Sequence, residues 1–141
     1  MYRFAPLLRK RGSIDDPSRI IITASIAGVG IGSTGKNGTP GYAASKAAAI
    51  SLAKNLGVEL GPQGILTTAI CPGFFPSKLA NGLIELSGGA EAMAKANPNQ
   101  RLGHPEDIAG TVVYLCSRAG SHVNGSTIIL DGGAVQASSK L

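Results

Sequence analysis

Residues 42–70 read YAASKAAAISLAKNLGVELGPQGILTTAI. Positions 42–60 are rich in Ala and Leu, and Gly61-Pro62 stops the run, so the spacing predicts one long helix. A short β-branched run follows over 65–70 and is closed by Cys71-Pro72-Gly73, which predicts a strand and a turn. Upstream, Arg19-Ile20-Ile21-Ile22-Thr23-Ala24-Ser25 has the same character and predicts a strand buried on both faces, as in a parallel sheet. Strand, long helix, strand is a βαβ unit, and a helix is what lets two strands run parallel.

Working outward, residues 2–11 predict a short amphipathic helix with Gly12 at its C′ position. Residues 13–17 are a loop, and 28–41 read as a flexible Gly-rich loop. Short helices are expected over 78–86 and 90–96, parted by Gly88-Gly89. A last helix opens at Pro105, carries Glu106 and Asp107 at its positive end, and runs to about residue 118. A third strand spans 126–130 before the Asp131-Gly132-Gly133 turn. Three strands make a small sheet, and the first would need a neighbour on its other side, because a long apolar edge is a liability.

The 141 residues are enough for one domain. Hydrophobic residues reach 43% and charged ones only 15%, which excludes a disordered chain. The net charge of +5 sits largely at Arg3, Arg9, Lys10, Arg11 and Arg19. No aromatic residues interleave with these charges, so they read as a solvated helix end and not as a nucleic-acid surface. Cys71 and Cys116 form no CxxC, and His104 and His122 stand at no ligand spacing to them, so no metal site is expected. No apolar run reaches the ~20 residues of a membrane span, and the start of the chain has no signal-peptide core. Free thiols without a signal peptide point to the reducing cytoplasm.

The Gly-rich loop holds two imperfect nucleotide motifs. Gly30-Ile31-Gly32-Ser33-Thr34-Gly35-Lys36 begins like a phosphate-binding loop, but Asn37 stands where Ser or Thr must hold magnesium, and no helix follows directly. That disfavours a nucleotide phosphatase. Gly28-x-Gly30-x-Gly32 lacks the spacing of the dinucleotide fingerprint.

Chemistry gathers elsewhere. Tyr42 and Lys46 stand four apart on the predicted helix and share one face. A free phenol ionises near pH 10, and a nearby cation favours the phenolate, which suits acid–base work. Ser25, at the end of the first predicted strand, can supply a hydroxyl to hold a substrate oxygen.

The combination of Ser25-Ile26-Ala27-Gly28, Tyr42-Ala43-Ala44-Ser45-Lys46, Pro72-Gly73-Phe74-Phe75-Pro76-Ser77 and Asp131-Gly132-Gly133 resembles the short-chain dehydrogenase/reductase family over about residues 2–133. Within it the sequence is similar to 3-oxoacyl carrier-protein reductase-like members from fungi and bacteria. The resemblance implies a doubly wound, Rossmann-like α/β fold, of which residues 1–141 hold the C-terminal portion. It implies hydride transfer between a carbonyl or alcohol substrate and NADP or NAD, with NADP slightly favoured. By it, Ser25 orients the carbonyl, Tyr42 is the acid/base, and Lys46 binds the nicotinamide ribose and assists Tyr42. Pro72, Gly73, Phe75 and Ser77 then line the nicotinamide site, with the Phe75 backbone and the Ser77 hydroxyl on the carboxamide. It also implies a homo-oligomer built through helix 42–60 and through the last helix and strand.

The sequence departs from the family in two ways. The loop after Ser25 is a few residues longer than is common, which leaves Ser33 as the alternative to Ser25. The family's N-terminal Gly-rich half, with its pyrophosphate turn and its selector for the adenosine ribose, has no counterpart here. The expectation is therefore an oxidoreductase crippled by truncation, or an inactive fragment that acts only by associating with intact relatives. Ile26, Val29, Ile31, Phe74 and Phe75 hint at an apolar substrate.

Overall fold

Three strands, β1 (Ser18–Thr23), β2 (Ile65–Pro72) and β3 (Thr127–Leu130), pair in parallel in the order β1-β2-β3. The computed structural model describes residues 3–31, 34–78 and 80–138. The helices are α1 (Ala5–Arg11), α2 (Pro40–Leu60), α3 (Asn81–Leu86), α4 (Ala90–Ala96), α5 (Pro105–Cys116) and α6 (Ala134–Ser138). The α/β reading of the sequence holds, and the sheet is that of a Rossmann-like fold.

The core lies between β2 and α2. Ile50, Ala53, Leu56, Gly57 and Leu60 recur at helical spacing and form the buried stripe of α2. Ile65, Ala69 and Cys71 alternate along β2 and meet that stripe. Ile65 is fully enclosed, which contributes about 1.5–3 kcal/mol. On β1, Ile20 and Ile22 extend the same layer, and Leu8 of α1 closes its end. The opposite face meets α5, where Arg19 Nε donates to the Leu115 carbonyl at 2.9 Å. A clamp joins α2 to the start of β3: Asn124 Nδ2 donates to the Gly57 carbonyl at 2.8 Å, and its Oδ1 accepts from the Thr67 N–H at 2.9 Å.

Some expectations are corrected. The buried strand is β2, enclosed at all but Leu66 and Pro72; β1 is only half-buried, because among the described residues it pairs with β2 alone. Apolar patterning reports face coverage and says nothing of edges. The first helix starts at Ala5, and Gly12 is not left-handed: its φ is −78° and ψ 148°. Glycine is needed there because a Cβ would sit 2.3 Å from the Gly64 carbonyl oxygen. The long helix starts two residues earlier than expected, at Pro40, since proline suits a first turn. β2 continues through Cys71 and Pro72. The N–H groups of Ala69 and Gly73 point to the β3 side, so the missing N–H of Pro72 falls on the other side, beyond the end of β1, and costs nothing. The helix after β3 was not expected from the sequence.

Candidate active site

Ser25 lies two residues past β1 in extended backbone (φ −169°, ψ 156°) and opens a 3-10 turn over Ile26–Gly28. Its Oγ accepts from the Ala27 N–H at 3.2 Å, which leaves the serine hydrogen free to donate outward. Gly28 presses this turn onto α2. A Cβ at Gly28 would stand 2.5 Å from both the Ala47 nitrogen and the Lys46 carbonyl carbon. The start of the Gly-rich segment is thus a docked turn, where flexibility was expected. Gly32 and Ser33, and with them the alternative to Ser25, lie outside the described residues.

Tyr42 and Lys46 stand one turn apart at the start of α2. The Lys46 Nζ sits 5.5 Å from the centre of the Tyr42 ring, a cation–π contact, and donates to the Thr23 carbonyl at the end of β1 at 3.1 Å. Two of its three N–H donors remain. Tyr42 is 41% exposed, and its hydroxyl has no hydrogen-bond partner among the described residues. Beneath them Cys71 is fully enclosed. Burial pushes the Cys71 thiol up, against smaller opposing effects of the Ser25 backbone and the Lys46 charge, so it stays protonated.

Ser25 and Tyr42 open on one cavity of about 580 Å³. It lies past the C-terminal ends of β1 and β2, where open α/β sheets receive ligands. Gly73 and Phe74 form one wall, and Leu83, Ala134 and Val135 another. No motif in the sequence marks Thr39, Ala80, Leu83, Ala134 or Val135. The signal for the last two was Asp131: its carboxylate accepts from the Gly133 and Val135 N–H groups, both at 2.8 Å, as an acidic residue does at a helix start.

The other expected site residues scatter more. Pro72 ends β2 and lines neither this cavity nor a second one. Gly73 lines the first, pressed against Asp131, whose Cβ would lie 2.8 Å from an added Cβ. The Phe75 ring lies on Gly103 and lines the second cavity, of about 290 Å³. Ser77 is exposed; its Oγ accepts from the Ala80 N–H at 3.1 Å, the capping role open to any serine there. Among the described residues no group of three or more His, Cys, Asp and Glu could hold a metal ion. No described helix is long and apolar enough to cross a membrane.

Known proteins resemble this chain in sequence and in fold. The family model described as enoyl-(acyl carrier protein) reductase matches residues 1–135. The short-chain dehydrogenase/reductase VdtF of Byssochlamys spectabilis is 36% identical over 84% of this chain and 37% of its own length. The 3-oxoacyl-[acyl-carrier-protein] reductase FabG of Rickettsia bellii is 37% identical over 82% of this chain and 45% of its own. The solved structure of the Pseudomonas aeruginosa RhlG/NADP active-site complex superposes with a TM-score of 0.82 at 33% identity, over 94% of this chain and 51% of that one. The chain spans about half the length of the curated relatives it matches. Sequence and fold agree over nearly all of the chain, and the protein belongs to the short-chain dehydrogenase/reductase family.

Proposed function

We propose that this chain carries the substrate-activating part of an oxidoreductase that interconverts a carbonyl compound and its alcohol with NADP or NAD, in the cytoplasm. The observation that supports it most is one cavity lined by both Ser25 and Tyr42, with the Lys46 ammonium over the Tyr42 ring. The bound nicotinamide would supply or accept the hydride. Ser25 donates its free hydrogen to the substrate oxygen and holds it. In reduction Tyr42 gives that oxygen its proton, and in oxidation it takes the proton back. Lys46 places positive charge where the phenol oxygen becomes negative. Its remaining donors suit the hydroxyls of the nicotinamide ribose. Gly73, with Pro72, Phe75 and Ser77 beside it, would border the nicotinamide ring. Two free cysteines fit a reducing compartment.

The residues fit the nicotinamide end of the cofactor: a free phenol, a free serine hydrogen and a cation with spare donors. They offer no Gly-rich strand-to-helix turn of dinucleotide spacing for the pyrophosphate. A few hydrogen bonds of ~0.5–1.5 kcal/mol must offset ~4–15 kcal/mol of association cost, so these 141 residues alone should bind NADPH poorly. NADP is preferred here to NAD because the RhlG complex holds NADP.

The test fuses the dinucleotide-binding half of RhlG ahead of this chain and follows NADPH consumption with a ketone. Ser25→Ala and Lys46→Met should each lower turnover by ~10²-fold or more. A folded fusion that consumes no NADPH, or one indifferent to both changes, contradicts the reading.

A second reading rests on exposed apolar helix faces: Leu52 and Val58 on α2, and Val113 and Tyr114 on α5, of which Val58 is 79% exposed. Such faces suit self-association through α2 and through α5 with β3, or association with intact relatives. A monomer in sedimentation at micromolar concentration contradicts self-association, and no co-sedimentation with RhlG contradicts the other.

A further inference from the structure

The cavity shared by Ser25 and Tyr42 has an unusual wall for a site that handles small polar metabolites. No Asp, Glu, Lys, Arg or His lines it among the described residues. Its polar side chains are three hydroxyls, those of Ser25, Thr39 and Tyr42, and most of the remaining surface is hydrocarbon, chiefly Phe74, Leu83 and Val135. Lys46, the cation of the site, is held by the Thr23 carbonyl and the Tyr42 ring face and does not line the cavity. At about 580 Å³ the space, of which the nicotinamide ring beside Gly73 would take a share, falls inside the ~300–1,000 Å³ range of small-molecule sites.

We propose that the substrate is a neutral ketone, or its secondary alcohol, whose substituents are hydrocarbon, and that carboxylated and polyhydroxylated analogues are rejected. The inference rests on the reaction assigned above and adds the substrate class. One carbonyl oxygen is matched by the donors of Ser25 and Tyr42. A carboxylate elsewhere on the molecule would leave water and meet no cation. Thr39 offers one further hydroxyl, and the remaining hydroxyls of a polyol would be stripped of water against Phe74, Leu83 or Val135 with no side-chain partner among the described residues to replace it. A hydrocarbon chain meets neither penalty and gains from leaving water. Discrimination of this kind is strong because it comes from unpaired polar groups, whereas an extra methylene would change little.

The test is binding to the 141-residue chain, without cofactor, read by methyl NMR. The probes are 2-octanone, 7-oxooctanoate and D-gluconate. The ketone should shift the methyl signals of Ala27, Leu83 and Val135. Its affinity should exceed that of 7-oxooctanoate at least tenfold, about 1.4 kcal/mol. Gluconate should leave those signals in place. Leu83→Lys puts a cation in the wall and should bring 7-oxooctanoate level with the ketone or ahead of it; Ala80→Lys serves the same purpose should the first variant not fold. Equal binding of 7-oxooctanoate or gluconate to the unaltered chain overturns the proposal, as does 2-octanone leaving the cavity methyls unmoved up to its solubility. The outcomes separate from those of the preceding test. An inert fusion whose chain still ranks the ligands this way removes the oxidoreductase reading and keeps the ligand class. An active fusion that reduces 7-oxooctanoate as fast as 2-octanone removes the class and keeps the reaction.

Discussion

Two cavities lie side by side past the strand ends, with Phe74 in the wall of both, and they differ in how their polar groups are used. In the smaller one every principal polar side chain is engaged. Arg101 forks onto Asp107 at 2.7 and 2.9 Å, Asn97 donates to the Asp131 carbonyl at 2.9 Å, and the Asp131 carboxylate holds the turn into α6. In the larger one the Tyr42 hydroxyl and the serine hydrogen of Ser25 have nothing to do. A polar network satisfied from within fixes backbone; donors left over beside an apolar wall await a ligand. The smaller cavity therefore reads as scaffold, and the larger, with its unused donors, is the one that can receive a ligand.

The contrast breaks most readily at Gly28. Gly28→Val drives a side chain into the α2 backbone, which cannot step aside as a flexible side chain would. A loss of about 3 kcal/mol in urea unfolding is expected, with the Ser25 turn lifted off α2. An unchanged midpoint would mean that the turn does not dock there. Asn97→Ala should cost about 2 kcal/mol, since the Asp131 carbonyl and the Asn99 N–H lose a nearly buried partner. A midpoint within error of the unaltered chain would take Asn97 out of the scaffold.

The smallest effect concerns pH. The forked bonds from Arg101 first, and the His104 N–H second, hold the Asp107 carboxyl well below the usual carboxylate range. A carboxyl depressed in the folded state stabilises above its unfolded pKa, near pH 4, and that contribution is lost as pH falls through the folded value. Arg101→Met should therefore lower the melting temperature slightly at pH 7, and the gap should close as the pH is taken below about 4. The pair is partly exposed, so the gap should also shrink with salt. A gap that widens in acid would reverse the sign argued here.

Much of this was legible in the chain. The βαβ order, the span 90–96 and the Pro105 helix start follow from local pattern, and Tyr42 and Lys46 share a face because helical geometry requires it. What escaped reading is long-range. Asn97 and Asn124 look like ordinary loop residues until their partners, 34 and 57 positions away, are known. Gly28 reads as flexibility in the sequence, and only the approach of α2 reveals it as a contact. Phe74 and Phe75 are adjacent and equally apolar, yet only Phe74 reaches the Tyr42 cavity. Periodicity does not say which neighbour waits on either side of an irregular segment.

The most direct test sets Tyr42→Phe beside Asn97→Ala in the RhlG fusion, with turnover and urea stability measured on both. Tyr42→Phe should keep stability within ~0.5 kcal/mol and lose ~10²–10⁴-fold in kcat. Asn97→Ala should lose stability and, once folded, keep its kcat within about threefold, as expected of a residue outside the transition state. The reverse pattern, a Tyr42→Phe protein that turns over normally while Asn97→Ala is stable and inert, would move the chemistry to the smaller cavity and contradict the assignment.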